Sequence, residues 1–317
     1  MVHSLSIKPL PEFAQRPSAK HQSDACCSLS LRERVRVRGK HSVEQAKCGR
    51  SRRLLSIAFP RVAAVTLSLV LSLLATGCQT VSSLRDAQDT FNRAAAAENA
   101  LRTDLNRPLD GGGADTMIGL GAARSGYASA LLILNRITSE SADKLRSDQL
   151  LGDALTLKAL CEWRLGQFGN AVATAQSAQS AAADQLFPRD RALLRALPGL
   201  IKTDQAYQKI MERKPLTEIE QLLVSGNGAA ADVQAAREGV DRDHPVQIFL
   251  LQAQLAAYRN FTMAEFRLNN NATVPLDHPA RVKASTQLRE LDRLCKASGA
   301  GPNLVNYWQK LCALDFP

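Results

Sequence analysis

Apolar residues along this chain recur at three- and four-residue spacing, as in Leu155, Ala159 and Trp163 followed by Phe168, Val172 and Ala175. That period collects them on one face of a helix. From residue 78 onward Ala, Leu, Gln, Arg and Glu dominate, β-branched runs are missing, and no strand candidate stands out. The pattern predicts an all-α fold. Breaks fall at Asn106-Arg107-Pro108 with Gly111-Gly112-Gly113, near Gly166, at Phe187-Pro188, at Lys214-Pro215, at Ser225-Gly226-Asn227-Gly228, and over residues 269–275. Helices of roughly 10 to 25 residues joined by short turns describe an array rather than one bundle with long loops.

One stretch departs from this pattern. Residues 62–77 carry no charge for 16 positions between Arg61 and Cys78 and end in Leu73-Leu74-Ala75-Thr76-Gly77-Cys78. The run is shorter than the ~20 residues a helix needs to cross a bilayer. Arg50, Arg52, Arg53 and Arg61 precede it, and small residues lead into the cysteine, which are the requirements of an export signal. This segment resembles a bacterial lipoprotein signal peptide, although its leucines fall one residue earlier than the family pattern has them. The resemblance implies removal of everything before Cys78, diacylglycerol on its sulfur, and a further acyl chain such as palmitate on the new amino group. Two or more chains make a stable anchor. Gln79 follows the cysteine, where Asp in this family retains the protein in the inner membrane, so the resemblance implies an outer-membrane protein facing the periplasm.

Residues 1–53 alternate charged and small side chains without a helical or strand period. They read as a basic leader that is untranslated or without structure, with the working start near Val43 or Leu54; an RNA-binding arm is the competing reading. The sequence thus divides into residues 1–53, a signal peptide at 54–77, and a lipid-anchored helical domain at 78–317.

Charge follows the same cut. The chain is +10 overall, but residues 1–78 hold 13 Lys+Arg and 4 Asp+Glu, leaving 27 against 26 after processing. A nearly neutral chain offers no phosphate-neutralising stripe, so nucleic acid is not an expected partner. Of the seven cysteines, Cys26, Cys27 and Cys48 leave with the leader, and Cys161 sits in an apolar helical context that reads as core. Two outcomes are open for Cys295 and Cys312 in an oxidising compartment. They form a disulfide across Ser298-Gly299-Ala300-Gly301-Pro302, or they are separately buried thiols.

The clearest unit within the helical domain covers residues 151–183. Its centre, Trp163-Arg164-Leu165-Gly166-Gln167-Phe168-Gly169-Asn170-Ala171, ends a helix at a glycine, sets an aromatic two residues later and a small residue three after that. Glycine lets the chain reverse, the aromatic fills the gap between two helices, and small residues let them approach. This resembles the tetratricopeptide repeat, whose second-helix small positions are met by Ala175 and Ala178. A second unit is read at 245–278. The phrase Asp243-His244-Pro245 returns as Asp277-His278-Pro279 after 34 residues, the period of that repeat. There residues 247–258 read as the first helix, Arg259-Asn260 stands at the turn, and Phe261 and Ala264 take the aromatic and small positions. The implied fold is a tetratricopeptide-like superhelix.

Candidate chemistry is sparse. His244 and His278 are the only histidines after residue 78, and each sits between an Asp and a Pro where the expectation is a helix start: Asp243 and Asp277 complementing the N-terminus, proline in the first turn. Gly121-Ala122-Ala123-Arg124-Ser125-Gly126 has phosphate-loop spacing but is followed by Tyr127-Ala128 instead of Lys and Ser or Thr, so Gly119, Gly121 and Gly126 read as a small-residue helix face. Asp110-Gly111-Gly112-Gly113-Ala114-Asp115 lacks the oxygens of a calcium loop. No catalytic residue, metal ligand or cofactor site is expected. The expected function is that of a scaffold or adaptor binding a protein or peptide in outer-membrane assembly or secretion. The alternative is a periplasmic hydrolase acting on cell-wall material, with Glu162 as its acid, although Glu162 reads first as a solvated helix residue.

Overall fold

The computed structural model describes residues 61–102, 114–269, 274–299 and 303–314. The expectations for residues 1–60, for the side chain of Cys78 and for the Asp110–Gly113 connector lie outside the described residues. Those described form eleven α-helices and one 3₁₀ turn, with no strand among them. They are α1 (Arg61–Arg102), α2 (Ala114–Glu140), α3 (Ala142–Ser147), α4 (Leu151–Arg164), α5 (Phe168–Ala181), α6 (Pro188–Met211), α7 (Leu216–Leu223), α8 (Ala229–Glu238), α9 (Val246–Leu268), α10 (Pro279–Ser298) and α11 (Asn303–Leu314). The all-α class expected from the 3.6-residue period is what the described residues adopt. None of these helices is long and apolar enough to cross a membrane.

Packing follows chain order. The most extensive pairs are α1 with α2, α4 with α5, α6 with α8, and α9 with α10. Each pair then rests on the next: α2 on α4, α4 on α6, and both α6 and α8 on α9, with α11 closing against α10. The core is accordingly a chain of clusters rather than one centre. Leu155 packs on the cluster containing Leu84, Leu134 and Leu145 and also on that containing Trp163, Ala171 and Leu197. Phe249 and Ala253 link the latter to Ala192, Val233 and Leu250.

The first pair is antiparallel. Leu84 shares a cluster with Leu134 and Ile137. Toward the other end Gly126 meets Ala94, so closely that a Cβ on the glycine would come within 2.8 Å of the alanine Cβ. Of the small-residue face read from the sequence, Gly126 makes this contact while Gly121 faces open space.

The second unit, 245–278, is not a helical hairpin turning at Arg259-Asn260. Residues 246–268 are one uninterrupted helix, and Phe261 and Ala264 lie on α9 itself. Both are buried, against the same cluster as Leu255, Ala284 and Leu291. The physical reason is local: Arg and Asn at the expected turn do not stop a helix, and the Thr262 hydroxyl donates to the Tyr258 carbonyl one turn back (3.1 Å). The true partner of α9 is α10, reached after residue 269.

The cysteine expectation also resolves. Cys161, Cys295 and Cys312 are thiols, with no disulfide among the described residues. Cys295 is buried in the core, whereas Cys312 is half-buried on α11.

Candidate functional site

The turn after α4 is built as the sequence pattern requires. Gly166 has φ +77°, the left-handed conformation that a glycine adopts without steric cost. Its N–H donates to the Trp163 carbonyl (2.9 Å) and the Gln167 N–H to the Glu162 carbonyl (2.8 Å), the paired bonds that close a helix C-terminus. Phe168 starts α5 half-buried against the Trp163 cluster, and Ala171 is fully buried in it. The buried face of α5 is Ala171, Thr174, Ala175 and Ala178; Val172, expected on that face, is 37% exposed.

From this turn a line of side chains crosses the ends of successive helices. Tyr127 Oη on α2 donates to Glu98 Oε2 on α1 (2.7 Å), and Arg164 Nη1 on α4 reaches Glu98 Oε1 (3.5 Å). The Arg164 guanidinium lies 4.1 Å from the centre of the Trp163 ring. Trp163 Nε1 donates to Asp204 Oδ2 on α6 (2.7 Å), and Arg267 Nη1 near the end of α9 approaches Met211 Sδ at the end of α6 (3.3 Å). Tyr207 and Met211, on one face of α6 at four-residue spacing, are 45% and 55% exposed. Five helices thus contribute to one edge, in which Tyr127, Glu98 and Trp163 are buried while Tyr207 and Met211 are open to solvent.

Titratable groups elsewhere are locked into the fold. Glu162 is only 5% exposed, which corrects its reading as a solvated residue. Burial raises its carboxyl above the usual range, with a hydrogen bond to Thr174 on α5 and the Lys158 charge working in the opposite direction. The same burial pushes the neighbouring Cys161 thiol up. His278 Nδ1 accepts from the Ala280 N–H (3.3 Å) while its Nε2 pairs with Glu265 Oε1 (3.2 Å), so both imidazole nitrogens are engaged. Burial raises the Glu265 carboxyl, and His278 offsets part of that shift. His244 Nδ1 likewise accepts from the Val246 N–H (3.1 Å).

Each Asp-His-Pro phrase therefore does begin a helix, and in each the imidazole accepts a first-turn N–H: His278 is the cap of α10, whereas His244 stands one residue before Pro245, the cap position of α9. Asp243 instead reaches Arg293 Nη1 on α10 (3.0 Å). A half-buried polar knot that the sequence reading missed joins α8, α9 and α10: Arg237 donates to the side-chain oxygens of Gln247 (3.0 Å), Gln254 (2.8 Å) and Gln287 (2.7 Å). Its only signal in the sequence is glutamine at inward positions of α9, where apolar residues are the rule. No group of three or more His, Cys, Asp or Glu among the described residues is placed to hold a metal.

Comparison with family models, curated proteins and solved structures returns no match to this chain.

Proposed function

We propose that the chain is a lipid-anchored scaffold of the bacterial outer membrane, facing the periplasm, whose tetratricopeptide-like array binds a protein or peptide partner. The lipid anchor rests on the signal-like segment ending at Cys78. The repeat reading rests on the Gly166 turn and on helix pairs that each pack on their neighbours in chain order, as stacked repeats do. The observation that carries the binding role is the edge running from Glu98 through Trp163 and Asp204 to Met211 and Arg267, with Tyr207 and Met211 left open to solvent. Exposed aromatic and thioether side chains rimmed by arginines are ready contacts for a polypeptide.

A photo-crosslinker at Tyr207 in the envelope tests this reading. A discrete polypeptide adduct, lost on Met211→Asp without a change in melting, is expected; an adduct unaffected by Met211→Asp would remove this edge as the binding site. The competing hydrolase reading gains from the raised carboxyl of Glu162 but is weakened by that group's enclosure between α4 and α5. Turnover of cell-wall fragments abolished by Glu162→Gln would replace the scaffold with the enzyme.

A further inference from the structure

Resting on the lipoprotein reading, removal of residues 61–77 leaves Cys78 as the first residue of α1, with a consequence for how the protein stands on its membrane. The Cys78 backbone is already within α1. Val81, three residues later and so about 4.5 Å along the helix, packs on the cluster that contains Leu84, Ile137 and Leu145. Only Gln79 and Thr80 intervene, so no spacer separates the lipid site from the folded core. Glu98 is 20 residues further, about 30 Å away, at the opposite end of α1.

We infer that the edge formed by the Cys78 end of the processed α1, the end of α2 and α3 rests against the lipid headgroups, and that the edge carrying Glu98, Trp163 and Met211 is held outward. The near edge is continuous beyond α3, because Gln185 Nε2 donates to the Arg146 carbonyl (3.2 Å) and brings the α5–α6 connection alongside. Charge does not hold this edge to lipid: on α3, Lys144 pairs with Asp148 (2.9 Å) and Arg146 with Asp143 (3.1 Å). Its approach to the membrane is dictated by the short tether alone. The outward direction deepens the proposed function, since it presents the polypeptide-binding edge to the periplasmic space.

The test uses the full-length acylated protein in phosphatidylcholine vesicles doped with a headgroup quencher. A fluorophore is attached through Asp143→Cys, whose native side chain is fully exposed, or through Asn170→Cys at the far turn, each in a Cys312→Ser background. Strong loss of emission at position 143 and retention at position 170 is the expected result. Equal quenching at the two positions overturns the orientation. A Gly/Ser spacer of about 20 residues after Cys78, with a span of roughly 25 Å, should abolish the difference; a difference that survives it would also overturn the tether argument. The mass of the Cys78 peptide separates the two claims: without acylation the lipoprotein reading falls, whereas acylation with equal quenching sinks the orientation alone. Unacylated Cys78→Ser protein should not bind the vesicles.

Discussion

Two stretches of this chain carry the same pattern and fold differently. Phe168 and Ala171 correspond to Phe261 and Ala264, and both alanines are fully buried. Yet the first pair opens a new helix after a turn, while the second continues a helix of 23 residues. The residue two places before the aromatic separates them: Gly166 at φ +77° in one, Arg259 within α9 in the other. An aromatic followed by a small residue at helical spacing therefore marks an inward face. The reversal comes from the glycine, which takes up a backbone conformation that costs other residues roughly 1–2 kcal/mol.

The largest effect should come from what the two stretches share. Ala171→Arg and Ala264→Arg each insert a long charged side chain into a closed cluster, and each should cost several kcal/mol through overpacking and an unpaired buried charge. Thermal or denaturant unfolding reads both. A mild effect at Ala171 with a severe one at Ala264 would separate the stretches by packing rather than by the turn.

The next effects address the difference itself. A Cβ at Gly166 would meet no atom within 4 Å, so Gly166→Ala tests backbone conformation without a steric clash, at about 1–2 kcal/mol. The reciprocal change, Arg259→Gly, should weaken α9 by about 1 kcal/mol without opening a turn, because Tyr258, Phe261 and Thr262 stay packed. Amide exchange over residues 260–264 is the measurement. Continued protection is expected, whereas rapid exchange there would mean that glycine alone is sufficient to make the hairpin.

A smaller pair of effects concerns the two Asp-His-Pro starts. His278→Ala removes the acceptor of the Ala280 N–H and should cost about 1 kcal/mol, a usual value for a lost cap. Asp277→Ala, at an exposed position, should change the unfolding midpoint little. The reverse order would return the cap to the carboxylate.

How much of this was legible depended on whether the signal was local. Helix class came from apolar spacing, and the α4–α5 turn from one glycine in the right place. The 34-residue echo of Asp-His-Pro marks two helix starts but supplies no turn signal at Arg259-Asn260, and α9 runs through that point. The break after α2 went unread because Thr138-Ser139-Glu140-Ser141 contains neither Gly nor Pro. There the Thr138 and Ser139 hydroxyls bond back to the Leu134 and Arg136 carbonyls, and Gln149 takes a positive φ before α4. The edge running from Glu98 to Arg267 could not be read at all. Its members are 29 to 66 residues apart where they meet, as in Tyr127 with Glu98 and Arg164 with Glu98, and only the packing of helices brings them together.

One position distinguishes the two stretches by charge. Four residues before Gly166 stands Glu162, and four before Arg259 stands Leu255; both are buried. The raised carboxyl of Glu162 means that the folded protein holds a proton which the unfolded chain has already released at the same pH. Its contribution to stability is therefore complete below the ordinary carboxylate range and is lost as pH rises through the folded value. Glu162→Gln keeps the Thr174 neighbour and cannot ionise, so its unfolding midpoint should gain on the wild type as pH rises from about 4 to about 7. Leu255→Met, a comparable buried position without a titrating group, should track the wild type across that range. At any single pH this is the smallest of the expected effects, and it appears as a slope. Parallel pH profiles for wild type and Glu162→Gln would show that the carboxyl is ionised in place, and that the two stretches differ only at the glycine.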